Sequence, residues 1–178
     1  MEEITLHTTP IYDGRIVKLE LLDVRLPDGK EARREIIRHP GAVAIVAIDT
    51  AGKVLLVKQF RSAAGKTLLE IPAGTLNPGE VPLSCALREL QEETGFRADK
   101  LEPLGGIYTA PGYTTEFIHL FYATGLSESR LDADADEFIE VERVSMAEAL
   151  AMIDRGDIAD GKSVAGLLRV ARILGSPL

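Results

Sequence analysis

The chain has 178 residues, 46% hydrophobic and 27% charged, with 28 acidic against 20 basic side chains and a net charge of −8. That length suits one ordinary domain whose core needs no staples, and the acidic balance argues against a nucleic-acid partner held by phosphate neutralisation, though bound cations can still bring in a small phosphate ligand. The lone cysteine, Cys85, excludes an intrachain disulfide framework, no run approaches the ~18 apolar residues of a membrane span, and the opening Met1-Glu2-Glu3 sets the cytoplasm as the expected compartment.

The first forty residues read as strands. Arg15 to Leu26 is rich in Val and Leu, Pro27-Asp28-Gly29 is a turn, and Lys30 to Arg38 is the return strand. His39-Pro40-Gly41 breaks the pattern. Gly41 to Ile48 is a continuous apolar run, expected as a strand buried on both faces. Asp49 to Gly52 is a turn, with Val54 to Phe60 as hairpin partner. A helix follows the Pro78-Gly79 turn, with Pro82 in its first turn and Gly95 at its stop. Its spacing predicts an inward stripe of Leu83, Ala86, Leu87 and Leu90. Gly105–Thr109 and Glu116–Thr124 are strand-like, and Asp132–Glu137 is a short acidic stretch. Ser145 and Glu148 form a capping box for a helix that turns Met146, Ala149, Leu150 and Ile153 inward and stops at Gly156. A last helix runs from about Ser163 to Leu174, with Val164, Leu167, Leu168 and Ala171 inward. The fold class is mixed α/β, with an N-terminal antiparallel strand extension over residues 1–40 and a central domain over 41–178.

The acids of the central helix point to chemistry. Glu89 and Glu92 are three apart and Glu89 and Glu93 four apart, so all three project from neighbouring positions flanking the stripe. Each such like-charge pair costs roughly 0.2–0.5 kcal/mol in an isolated helix. They also sit toward the C-terminal end, where the helix dipole disfavours anions. Glu80 in the preceding loop adds a fourth charge. A hard divalent cation removes the conflict, since Mg²⁺ takes oxygen ligands and couples carboxylates to phosphates. Taken alone, such a cluster reads as a solvated face. Elsewhere, His7, His39 and His119 have no metal spacing, Cys85 lies near the apolar side of the helix, and no nucleophile-elbow motif occurs.

The whole string from Gly74 to Phe96 changes that balance. Gly74, Glu80, Arg88, Glu89, Leu90, Glu92, Glu93, Gly95 and Phe96 fill every fixed position of G-x5-E-x7-R-E-U-x-E-E-x-G-U, with U apolar. This resembles the signature of the Nudix hydrolases. The resemblance implies an α/β/α sandwich around a mixed sheet, and cleavage of a pyrophosphate bond with two or more Mg²⁺ ions, or Mn²⁺. It implies Glu89 and Glu93 as primary metal ligands, with Glu92 close by and the Ala73 carbonyl joining them. Arg88 looks like the arginine that pairs with Glu80 and holds the loop against the helix. Two or more cations over the patch would activate water and bind the diphosphate charge.

Beyond that string the chain resembles the ADP-ribose pyrophosphatase subgroup. Pro111 stands fifteen residues after Phe96, and Leu69-Glu70-Ile71-Pro72-Ala73-Gly74 looks like that subgroup's entry to the motif. Arg33-Arg34-Glu35-Ile36 resembles its N-terminal strand, and Gln59-Phe60-Arg61 its second core strand. Ala110-Pro111-Gly112 with Thr115-Glu116 resembles the loop lining the terminal ribose. Asp136-Glu137-Phe138-Ile139-Glu140-Val141 resembles a mobile acidic loop that supplies a general base, Glu137 first and Glu140 second. The resemblance thus implies catalytic roles for Glu137, Glu92, Arg88 and Glu80, and substrate contacts from Arg34, Glu35, Arg61, Glu70, Pro111, Gly112 and Glu116. The implied reaction takes ADP-ribose to AMP and ribose 5-phosphate. The alternatives are a broader nucleoside diphosphate-sugar pyrophosphatase and a non-catalytic Nudix ligand-binding module. The implied partners are a small nucleotide-sugar substrate and a second copy of the chain, with the N-terminal strands exchanged or packed across a two-fold, and neither nucleic acid nor membrane.

Overall fold

The computed structural model describes residues 1–129, 131 and 139–176. The chain divides into two compact units, Met1–Gly41 with Tyr108–Phe117, and Ala42–Ile107 with Ile118–Leu178.

The first unit carries an antiparallel sheet of β1 (Ile4–Asp13), β2 (Lys18–Arg25) and β3 (Glu31–Arg38), in that spatial order. Every residue of β1 is exposed, including Ile4, Leu6, Ile11 and Tyr12. β3 docks the 108–117 segment through Ile37, whose N–H donates to the Tyr113 carbonyl at 2.7 Å and whose carbonyl accepts from Thr115 N at 2.9 Å. The sequence pattern registers β2 and β3 but not β1, which offers no inward face to generate alternation.

The second unit is built on β4 (Ala42–Ile48), β5 (Lys53–Arg61), β6 (Lys66–Glu70), β7 (Ala73–Thr75), α1 (Pro82–Thr94), β8 (Phe96–Tyr108), β9 (Phe117–Glu128), β10 (Glu140–Ser145), α2 (Met146–Arg155) and α3 (Gly161–Ile173). Its sheet runs β10-β5-β4-β9-β8, with β6 added to β5 and β7 to β4. β4 pairs in parallel with β9 and antiparallel with β5 and β7, so the sheet is mixed. Six of the seven β4 residues are buried, as the apolar run requires. Val43, Ile45 and Ala47 pack with Leu55 against Cys85, Ala86 and Leu90 of α1. Ala44, Val46, Val54 and Leu56 pack on the opposite face against Met146 and Ala149 of α2 and Leu167, Val170 and Ala171 of α3. Each fully buried Leu, Ile or Val contributes roughly 1.5–3 kcal/mol, so a central strand covered on both faces anchors the α/β/α layering.

Three elements depart from the sequence pattern. The buried residues of α1 are Cys85, Ala86, Glu89, Leu90, Glu93 and Thr94. Leu83 is 45% exposed and Leu87 only half-buried. The inward face is therefore rotated toward the 85/86, 89/90, 93/94 rows, and two glutamates lie on it rather than beside it. α3 begins at Gly161 with Asp160 as N-cap, and Leu168 faces outward. Glu140 and Val141 belong to β10, paired with Lys58 and Val57, and not to a loop. α2 follows expectation: the Ser145 hydroxyl accepts from Glu148 N at 3.1 Å, and Gly156 closes the helix in the left-handed region. No helix among the described residues is long and apolar enough to cross a membrane.

Candidate active site

The β7 backbone and the inward face of α1 build one cluster of carboxylates. β7 pairs with the buried β4, which fixes Ala73 and Gly74 opposite Ala44 and Val43. The Ala73 N–H donates to Glu93 Oε2 at 2.9 Å. A Cβ on Gly74 would stand 1.9 Å from Glu89 Cδ. Glycine is therefore what allows the Glu89 carboxylate to lie against the strand. Glu89 and Glu93 are 9% and 6% exposed, a depth that carboxylates reach only when paired or coordinating.

Arg88 gathers the remaining acids. Its Nε and Nη2 donate to the two Glu80 oxygens at 3.0 and 3.1 Å, and its Nη1 donates to Glu89 at 2.7 Å and Glu92 at 2.8 Å. Glu80 also accepts from Asn77 N at 2.9 Å, which closes its own loop. The Arg88 guanidinium draws the Glu80 carboxyl down to about 2. Hydrogen bonding to Glu80 in turn raises Arg88 above its ordinary value. Burial pushes the Cys85 thiol up to about 12, so this side chain is packing and not a nucleophile.

Arg88 thus bonds Glu80, Glu89 and Glu92, and Glu93 takes the Ala73 N–H on the same face of α1. Oxygen donors with excess negative charge and restricted hydration fit a hard divalent cation. No three His, Cys, Asp or Glu side chains among the described residues already converge as a finished metal cage; Arg88 instead bridges three of the acids. Donor chemistry and burial fit the ion.

A second polar cluster lies at the ends of β5 and β6. Arg61 donates through Nε and Nη2 to the two oxygens of Glu70 at 2.9 and 2.7 Å. Glu70 is 1% exposed and also accepts from Lys162 Nζ at 2.5 Å. Burial pulls the Glu70 carboxyl upward, and Arg61 and Lys162 outweigh it, leaving the group below its ordinary value. Lys162 was not among the residues the sequence singled out. Its signal was the polar Asp160-Gly161-Lys162-Ser163 string ahead of an apolar helix, which marks a cap but names no distant partner.

The other expected residues fall in the first unit. Arg34 forks onto Glu3 at 3.1 and 2.6 Å, while Glu35 is exposed on β3. Glu116 accepts from the Thr109 hydroxyl at 2.7 Å and lies 3.6 Å from His39 Nε2. Pro111 and Gly112 are exposed in a turn. The His39 backbone N donates to the Thr115 hydroxyl, and its Nδ1 accepts from Gly41 N. Glu137 lies outside the described residues.

A NUDIX domain model matches residues 38–167. The chain belongs to the Nudix family of hydrolases, whose members generally depend on divalent metal. It is 44% identical over 165 residues to the ADP-ribose pyrophosphatase of Bacillus subtilis (strain 168), covering 92% of this chain and 89% of that protein. It is 46% identical over 165 residues to the methanol dehydrogenase activator of Bacillus methanolicus, with the same coverages of 92% and 89%. Among solved structures, the crystal structure of an ADP compounds hydrolase has a TM-score of 0.87 at 23% identity, covering 98% of this chain and 95% of that one. At that identity the likeness speaks for the fold.

Proposed function

We propose that this enzyme hydrolyses the pyrophosphate bond of ADP-ribose to AMP and ribose 5-phosphate. The observation that carries the hydrolase reading is the buried Glu89–Glu93 pair held against Ala73 and Gly74. The choice of ADP-ribose draws on the Bacillus subtilis relative. Glu89, Glu93, Glu92 and the Ala73 carbonyl would hold two or more Mg²⁺ ions, or Mn²⁺. Bound there, the ions supply Lewis acidity and water activation.

The protein groups do the rest. Arg88 and Glu80 keep the loop and the carboxylates oriented. Arg61 donates to a phosphate oxygen, and Arg34 and Glu35 contact the base. Pro111, Gly112 and Glu116 line the terminal ribose. Glu137 takes the proton of the attacking water as the water oxygen bonds to phosphorus and the bridging P–O bond breaks. The exposed Ile4, Leu6, Ile11 and Tyr12 of β1 support a homodimer formed through the N-terminal strands. One buried thiol and no disulfide suit a reducing cytoplasm.

The test is product analysis with Mg²⁺ against ADP-ribose, other nucleotide sugars, dinucleoside polyphosphates and oxidised nucleoside triphosphates. Equimolar AMP and ribose 5-phosphate, with the highest kcat/KM for ADP-ribose, is the expected result. A flat profile across nucleotide sugars would favour the broader hydrolase. Binding of the panel without turnover would overturn the enzymatic reading.

A further inference from the structure

Glu70 is 1% exposed, and Arg61, its bidentate partner, is 40% exposed in its side chain. A carboxylate at that depth needs more compensation than a half-solvated guanidinium supplies. The second cation comes from 92 residues away. The Lys162 side chain is 12% exposed, and its ammonium is shared between Glu70 Oε2 at 2.5 Å and Asp160 Oδ1 at 2.9 Å. Asp160 also caps α3, its Oδ1 accepting from Ser163 N at 3.2 Å. The Ser163 hydroxyl accepts from Ile71 N at 2.8 Å. One helical turn therefore holds Glu70 by its carboxylate and by the backbone of its neighbour.

The charges alternate along Asp160, Lys162, Glu70 and Arg61, and Arg61 is the member that opens to solvent. Glu70 takes one edge of its guanidinium, through Nε and Nη2. The other edge, with Nη1, belongs to a side chain that is 40% exposed, and the Glu93 charge acts on the same guanidinium. A fork clamped along one edge and open on the other is preorganised for an anionic oxygen.

We propose that Lys162 is a positioning residue for substrate binding: acting through Glu70, it locks the Arg61 guanidinium in the orientation that receives a phosphate. This rests on the assignment of Arg61 as a phosphate contact made above. Without the ammonium, Glu70 is released from α3, Arg61 gains rotamers, and binding carries the cost of ordering them. Lys162 does not touch the reacting atoms, so its effect falls on binding and not on the chemical step.

The experiment uses the full chain with Lys162→Met, Lys162→Arg, Arg61→Ala and the double variant. ADP, which carries both phosphates, is titrated calorimetrically with Mg²⁺ beside steady-state kinetics and thermal melts. Lys162→Met is expected to raise the ADP Kd and the KM by about tenfold while kcat stays within about threefold. Lys162→Arg recovers most of the loss. In the Arg61→Ala background, Lys162→Met adds less than about a twofold change. A lower Tm with wild-type Kd and KM overturns the proposal, because the role is then structural only. Independent losses that multiply in the double variant also overturn it, since Lys162 then does not act through Arg61. If Lys162→Met melts below the assay temperature, Lys162→Gln keeps a donor without the charge and is judged by the same Kd and KM. Failure of the underlying reading looks different: Arg61→Ala alone would then bind ADP as the wild type does.

Discussion

Gly74 has no side chain because Glu89 already occupies the space. In Gly74→Ala the new Cβ would overlap the carboxylate at 1.9 Å, and the glutamate is the softer partner because β7 is paired to the buried β4. We predict that this substitution lowers kcat on the order of a hundredfold while the far-ultraviolet spectrum is retained. The Mg²⁺-induced rise in Tm should shrink with it; an unchanged kcat would refute the placement of Glu89 as a ligand. Glu80 gives a second, metal-free readout. Its carboxyl is held at about 2 against an ordinary 4.5, so between those values the folded chain binds fewer protons than the unfolded one. Its stabilisation is complete above about pH 4.5 and disappears as pH falls toward about 2. The stability gap between wild type and Glu80→Gln, measured by urea unfolding without metal, should close over that window. A gap that widens on acidification would contradict the Arg88–Glu80 pairing.

α2 and α3 allow the worth of two caps to be compared. Ser145→Ala removes one acceptor for Glu148 N and should cost about 1 kcal/mol. Asp160→Ala removes the acceptor for Ser163 N and also one of the two carboxylates on Lys162, so its loss should be the larger. Equal losses in denaturant unfolding would mean that the Lys162–Asp160 contact contributes nothing. These caps also show what the sequence makes legible. α2 could be read directly because its box, stripe and stop lie within a dozen residues of one another. β4 could be read because burial on both faces leaves only apolar residues. Of β8 only the end from Gly105 could be read: as an edge strand it tolerates Arg97, Asp99, Lys100, Glu102 and Pro103, so neither alternation nor β-branched runs appear before that point. The face of α1 was misplaced because periodicity alone weights Leu83 and Leu87, whereas sheet contact buries Cys85, Ala86 and Leu90, with Glu89 and Glu93 on the same face. In the site, the Arg88–Glu80 pair sits inside one contiguous string and was readable. The Lys162–Glu70 contact joins residues 92 apart and has no local trace.

For the whole molecule, the exposed apolar side chains of β1 make self-association measurable. Replacing Ile4 and Ile11 by Lys, at 61% and 53% exposure, alters no core packing and should shift the sedimentation coefficient from dimer toward monomer at micromolar concentration. A wild-type chain that sediments as an active monomer would remove the second copy from the account. The same scale holds a consequence of the parallel β4–β9 pair, in which Ala42 faces Ile118 and Ala47 faces Ala123. β4 is among the most apolar segments, yet one of its lateral partners is synthesised more than a third of the chain later. Parallel pairing at such separation is slow, because loop closure must come before any contact can reward it. On the ribosome, β4 must therefore wait beside the local β5 hairpin with one edge unsatisfied until β9 emerges. Nascent chains arrested before Ile118 should accordingly be captured by chaperones that bind unpaired apolar strands, and those arrested well beyond Glu128 released from them.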